Sequence, residues 1–349
     1  VGDTRPGALT LGLLLHADVV ETPPARTRVE DAWCQVDEAG VVRVLAHTAG
    51  WIEAWDGVNG WRNVAEASHS GNVTGMAGAV FARWKSAPEA EWQAEMGVVG
   101  MDGGTVWTKD LRYLSNTTTE VSVWWGDPIR FALKYHTHGT MFVGEESELP
   151  DSALRVGVLV DPAVLRFSQD GTELLVGGNG ALAIAKLAPG PAAIIDRVDE
   201  QRASAFSLDD QAVVYSAPDG DRARLAKWDV SSGERLWVTE PLTTEERTWG
   251  VQALAYVPAF GVWLGALDDA VVAVRDRDGR PVHWDNPPTL PANQWAGYDQ
   301  VQDWFRAPAV VTSCGSRHVL VATYGGAMEV WELSRGRARR ARGAAGASK

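Results

Sequence analysis

Short apolar runs with period-two alternation, separated by turns, fill this chain, and no convincing amphipathic helix of several turns is present. The stretch "VVRVLAHTAGWIEAWDGVNGW" (41–61) shows the unit: one apolar run, a Gly-containing turn, a second run ending in Trp-Asp, another turn and a Trp. The same order returns at 211–237, 261–284 and 318–333, and in weaker form at 95–111 and 172–187. Shorter apolar stretches with a turn precede most units, such as 163–171 and 203–211, and 121–160 reads as four strands. Asp-Gly, Gly-Gly and Gly-Asn pairs in the turns are hairpin signals.

The third strand of each unit centres near residues 54, 107, 143, 184, 226, 273 and 330. These spacings scatter around the ~40–50 residues of a four-stranded propeller blade. A lone four-stranded sheet leaves both faces uncovered, whereas sheets packed face to face around a ring cover them. The expected fold is therefore all-β, a seven-bladed β-propeller of four-stranded antiparallel blades over residues 1–333. "ALTLGLLLHADVV" (8–20) is an apolar strand without partners nearby in sequence.

"RFSQDGTELLVGG" followed by "LAIAKL", "AFSLDDQAVVYSA" followed by "LAKWDV", and "MEVWEL" resemble WD-repeat β-propellers, with Trp-Asp at 55–56 and 228–229 and Trp331-Glu332 as a near match. "KWDVSSGERLW" (227–237) and "AVRDRDGRPVHW" also look like quinoprotein-type repeats, whose terminal Trp docks between neighbouring blades. The resemblance covers nearly the whole chain at the level of pattern. It implies a rigid scaffold, and it makes Trp237 a blade-packing residue. It also implies that the N-terminal strand at 8–20 completes the last blade, the one that ends at Leu333, by pairing with it.

Composition sharpens this reading. The 17 tryptophans outnumber the six tyrosines and the seven phenylalanines, as a repeated packing position would require. A net charge of −13 opposes bulk nucleic-acid binding, which needs cationic surface. The charge is uneven, however. Residues 334–349 form a basic tail with Arg335, Arg337, Arg339, Arg340 and Arg342, too poor in apolar residues to fold alone. Such a tail is either a solvated end or a tether to RNA, anionic lipid or an acidic protein surface. The first twenty residues lack a signal-peptide pattern, no span of membrane length occurs, and the expected location is cytoplasmic. Cys34 and Cys314 would lie in adjacent blades after ring closure, but two distant cysteines in a reduced compartment are expected as buried free thiols.

Candidate chemistry is sparse. No P-loop, HExxH, GxSxG or dinucleotide glycine pattern is present. A quinoprotein-type enzyme would need adjacent cysteines and a calcium loop, and the Asp276/Asp278 and Asp219/Asp221 pairs fall at hairpin turns instead, so no cofactor and no metal are expected. His136 and His138 share a strand face and could reach one metal with Glu145 or Glu146, yet no third histidine is fixed nearby. Asn72-Val-Thr74 and Asn116-Thr-Thr118 fit the glycosylation triplet. The strongest binding candidate is the insert "WDNPPTLPANQWAGYDQVQDWFRA" (284–307), where Trp295, Tyr298, Trp304 and Phe305 supply the aromatic anchors that protein interfaces favour. Trp124 and Trp125, within 113–127, form a weaker one. These features point to a non-catalytic protein-interaction scaffold or sensor within a multi-subunit complex. The alternatives are a propeller that binds or hydrolyses a small molecule in its central channel, and a subunit of an RNA-associated assembly that uses the Arg-rich tail.

Overall fold

In the computed structural model every regular element is a β-strand among the described residues, which are 13–26, 28–85, 93–111, 118–135, 141–146, 162–178, 181–187, 193–196, 203–217, 222–242, 250–267, 270–286, 308–323 and 325–336. After β1 (Leu14–Glu21), the first complete sheet runs β2 (Asp31–Val36), β3 (Val42–Thr48), β4 (Trp51–Asp56) and β5 (Gly60–Glu66) in simple antiparallel order. Its middle strands are buried almost throughout, whereas β5 is mostly exposed. That gradient explains the sequence: strands covered on both faces read as continuous apolar runs, and the outer strand turns polar.

The same meander repeats along the chain. β6 (His69–Thr74), β7 (Gly78–Lys85), β8 (Gln93–Gly100) and β9 (Thr105–Leu111) join β10 (Thr118–Trp124), β11 (Arg130–Tyr135) and β12 (Met141–Glu145) in one larger sheet. The junction is a parallel pairing of β6 with β10, in which Gly71 lies opposite Val121. A Cβ on Gly71 would come within 1.7 Å of the Val121 carbonyl oxygen, so only glycine permits this approach. Two four-stranded sheets follow: β13 (Pro162–Phe167) to β16 (Ala193–Asp196), through β14 (Glu173–Gly178) and β15 (Ala181–Lys186), and then β17 (Ser204–Phe206) to β20 (Arg235–Val238), through β18 (Ala212–Ser216) and β19 (Leu225–Asp229). The last sheet combines β21 (Ala253–Val257), β22 (Val262–Ala266), β23 (Val271–Arg275), β24 (Pro281–Asn286), β25 (Pro308–Ser313), β26 (His318–Thr323) and β27 (Met328–Arg335) with β1.

Here β1 is the closing element. It pairs antiparallel with β27, Ala17 opposite Leu333, and parallel with β24, Leu15 opposite Trp284. The N-terminal strand thus completes the sheet as expected, and β27 extends two residues past the anticipated boundary at Leu333. From β1 the chain crosses to β2 through residues 22–30. Arg26 donates from Nε to Glu53 Oε2 at 2.7 Å and from Nη2 to Oε1, while Thr48 Oγ1 donates to the same carboxylate at 3.0 Å. Trp61 Nε1 donates to the Pro24 carbonyl at 2.8 Å, which pins the crossing segment further.

Apolar clusters bind each group of strands to the next. Leu45 and Ile52 meet Phe81 and Val99; Met96 and Trp107 meet Val121 and Leu133; Ala132 meets Phe167 and Leu174. Leu175 and Ile184 then meet Val213 and Tyr215, Val214 and Leu225 meet Trp263, and Leu264 meets Trp331 and Leu15. The series closes where Val44 and Trp55 of the first sheet meet Leu320 and Val330 of the last. The sheets therefore stand around a ring as a propeller.

Turn chemistry recurs with the repeat. Ser168 Oγ donates to Asp170 at 2.7 Å and accepts the Glu173 amide, and Ser207 does the same with Asp209 at 2.6 Å and the Ala212 amide. In "KWDVSSGERLW", Asp229 accepts the Ser231 and Ser232 amides, which holds its carboxyl below the ordinary value. Trp237 reaches the neighbouring sheet, where its Nε1 donates to the Asp276 carbonyl at 2.8 Å. Asp276 itself accepts from Lys227 Nζ at 2.8 Å and Trp263 Nε1 at 2.6 Å, and Asp278 pairs with Arg275. These aspartates serve the turn and the seam between sheets.

Two sequence expectations need correction. The run at 105–111 is the outer strand of its sheet rather than the third. Trp107 and Leu111 are buried on it, so it carries the apolar signature of an interior strand. The cysteines are not free thiols: Cys34 and Cys314 form a disulfide with Cα atoms 4.8 Å apart. Closure of the ring brings β2 beside the end of β25, where the Val36 amide donates to the Cys314 carbonyl at 2.9 Å. That separation lies within the range a disulfide spans without backbone movement.

Candidate functional site at the channel mouth

Residues 30–32 at the start of β2, 70–72 of β6, 120–121 of β10, 164–166 of β13, 203–204 at the start of β17, 252–254 at the start of β21 and 310–312 of β25 line one central cavity of about 480 Å³. A polar wall is unusual for strands packed at the middle of a ring. Here the innermost strand of each meander contributes polar residues to the axis. Glu30 and Asp31 come from the edge of β2, Ser70 and Asn72 from β6, Glu120 from β10, Arg166 from β13, Ser204 from β17, Gln252 from the approach to β21 and Thr312 from β25.

Asp31 and Arg166 define its electrostatics. Burial pushes the Asp31 carboxyl up to about 6, against the lowering influence of the Ala32 amide and of Arg166. Burial also lowers Arg166, and Asp31 partly offsets this. The two groups act on each other through space, and no ion pair joins them among the described residues. Arg166 Nε and Ser204 Oγ are buried without a hydrogen-bond partner. Such orphaned groups cost about 1–3 kcal/mol each unless something fills the site.

The Asp31 shift has a measurable consequence. The folded chain holds this proton more tightly than the unfolded one, whose carboxyl keeps its ordinary value near 3.8. Stability from this group is thus greatest at low pH and falls as pH rises through about 4 to 6. Asp31→Asn is expected to stabilise the chain at pH 7.5 by about 1–2 kcal/mol, reduced from the full shift because the side chain touches channel water. Urea unfolding across pH 4–8 checks this, and the variant's curve should be flatter between pH 4 and 6.

Beside the mouth, the buried His47 gathers groups that sequence reading left scattered. Its Nδ1 lies 3.0 Å from Ser70 Oγ and 3.4 Å from Glu30 Oε2, and its Nε2 lies 3.4 Å from the Ala67 carbonyl. Burial lowers the His47 pKa and keeps the ring neutral, so Nε2–H donates to Ala67 and Ser70 donates to Nδ1. A nucleophilic relay needs its acid and its hydroxyl on opposite ring nitrogens. Here both approach the same one, so the set reads as a satisfied buried histidine. Two strands, β4 and β5, separate His47 from Ser70 in the chain, so no local pattern signalled their contact.

The anticipated anchors Trp295, Tyr298, Trp304 and Phe305 lie outside the described residues. The chain leaves β24 and re-enters β25 at the end where the inner strands begin, and Val310 of β25 lines the cavity. Arg335 is exposed at the end of β27, and Arg337, Arg339, Arg340 and Arg342 lie outside the described residues. His136 and His138 also lie outside them, as do Asp219, Asp221 and Asn116. Trp124 and Trp125 pack into clusters on opposite sides of their sheet, and Trp124 Nε1 donates to the Gln169 carbonyl at 2.9 Å. Asn72 of the first glycosylation triplet faces the channel, and Thr74 is buried. Among the described residues no helix is long and apolar enough to cross a membrane.

No protein-family model matches this chain. No curated protein matches it either. Solved structures do, and 810 of their chains match. One of them is a chain of "Crystal Structure of Mitotic Checkpoint Complex", with a TM-score of 0.58 and 12% identity, over 90% of this chain and 94% of that one. A likeness at this identity shows the propeller fold.

Proposed function

We propose that this chain is a seven-bladed propeller serving as a non-catalytic protein-interaction scaffold within a larger complex. The observation that supports the blade count is the central cavity, lined by seven innermost strands, one from each meander. The interaction reading rests on a rigid ring that holds its connecting loops at fixed positions, and on the resemblance to WD-repeat propellers. The structural neighbour that comes from a multi-protein complex supports the same reading. Within it, Trp295, Tyr298, Trp304 and Phe305 are the docking residues. The basic segment beginning at Arg335 adds long-range attraction to an acidic partner. The Cys34–Cys314 bond favours an oxidising environment over the cytoplasm expected from the sequence.

The test is capture from the native source with the tagged full chain. A stoichiometric partner is expected, and replacing Trp295, Tyr298 and Trp304 together by Ala should weaken its retention at least about tenfold, or about 1.4 kcal/mol, with an unchanged melting temperature. Equal retention by the triple variant would remove the insert from the interface. A chain that purifies alone from every source would overturn the scaffold reading.

A further inference from the structure

The channel mouth carries more charge and more unsatisfied polarity than a structural axle needs. Asp31 and the guanidinium of Arg166 share the cavity without an ion pair between them, and Glu120 and Glu30, the latter held by Arg28 at 3.4 Å, complete its charged lining. Ser204 is 4% exposed, and its hydroxyl lines the same space without a hydrogen-bond partner. Arg166 Nε is likewise unpartnered and buried. Folding has oriented these groups inward at a cost, since interior polar groups in native proteins are overwhelmingly paired.

The charge pattern selects among ligand classes. A simple anion would meet Arg166 but be repelled by three carboxylates. A simple cation would suit the carboxylates, yet it would leave the guanidinium and the Ser204 hydroxyl unsatisfied. A neutral polyol would satisfy hydroxyl and amide groups and bring no charged group to Asp31 or Arg166. A molecule with a carboxylate at one end and an ammonium at the other satisfies all of them. Guanidinium binds carboxylate in a matched two-point geometry, and carboxylates hold an ammonium by charge-assisted hydrogen bonds. The volume of about 480 Å³ falls within the range of small-ligand sites and admits such a molecule with bridging waters.

We propose that the central channel binds a small zwitterionic amino-carboxylate of the amino-acid class, with Arg166 and Ser204 holding the carboxylate and Asp31 holding the ammonium. This site is independent of the scaffold reading, since it uses the axis of the ring rather than the 284–307 insert. Asp31 fits the role because its charge is poorly solvated in the empty site, and a bound ammonium supplies the missing counter-charge.

The experiment is calorimetric titration and thermal melting of the full chain with each of the twenty free L-amino acids. Their Nα-acetyl and C-terminal amide derivatives, spermidine and inorganic phosphate are run beside them. At least one free amino acid is expected to bind and raise the melting temperature. Acetylation or amidation of it should weaken binding at least about tenfold, about 1.4 kcal/mol. Arg166→Gln and Asp31→Asn should each weaken binding to a similar degree, and Ser204→Ala severalfold. Because Arg166→Gln could also perturb folding, Arg166→Lys serves as a second variant that keeps the charge and loses the two-point geometry, and the derivative comparison on the unaltered chain decides independently. The proposal is overturned if no amino acid binds at millimolar concentration, if a capped derivative binds as well as its parent, or if only spermidine or only phosphate binds.

Discussion

Removing residues 1–21 is expected to prevent the chain from forming a stable monomeric ring. That deletion takes away β1, which supplies the strand between β24 and β27 and seats Leu15 in a fully buried position against Trp331 and Leu333. Two strand edges then lose their partners, and edges of this kind invite pairing between molecules. The loss should exceed about 5 kcal/mol, a large part of the roughly 5–15 kcal/mol that holds a typical domain together. Size-exclusion chromatography should show aggregates, and urea unfolding should lose its single cooperative transition. Leu15→Asp tests the same closure without shortening the chain. Placing a carboxylate in that apolar contact should cost about 4 kcal/mol or more. A truncated chain that runs as a monomer and melts within experimental error of the full one would show that β1 does not close the ring.

The disulfide provides the second large effect, of a different kind. Cys34 and Cys314 are separated by 280 positions, so their bond closes a very long loop in the unfolded chain. Chain-entropy arguments put the stabilisation at about 5–6 kcal/mol. Replacing both by Ser, or reducing the bond, should lower the melting temperature by about 7–8 °C. The fold should survive, because β1 and the Arg26–Glu53 contact still join the ends of the ring. Reductant should lower the stability of the parent chain and leave the double variant unchanged. If reductant has no effect on the parent, the bond contributes nothing to closure.

What the sequence disclosed follows the physics of each feature. Hairpin units are local, and their turn residues and apolar runs lie side by side in the chain. "KWDVSSGERLW" therefore disclosed both its capped turn and the role of Trp237, which crosses to Asp276. Ring closure could be reasoned from an unpartnered apolar strand together with the resemblance to WD-repeat propellers. The outer strand at 105–111 was harder, since Trp107 and Leu111 give it an interior pattern. The cysteine bond was missed because compartment was judged from the lack of a leader pattern, although the geometry of closure already placed the two strands together.

The channel was the least legible part. Asp31, Arg166 and Ser204 each look like an ordinary polar alternation within a strand, and they come together only when separate strands converge on an axis. The useful signal was present but indirect. Inner strands that should have been wholly apolar carry a charged or hydroxyl residue, as Asp31 does in β2, Arg166 in β13 and Ser204 in β17.

Closure of the ring underlies both the rigid surface and the channel, and peptide mapping without reduction tests it most directly. After the folded chain is exposed to oxidised glutathione, proteolysis and mass spectrometry should recover the peptide containing Cys34 covalently joined to the peptide containing Cys314. Recovery of the two cysteines on separate peptides, each open to alkylation or bound to glutathione, would contradict a ring whose first and last sheets meet.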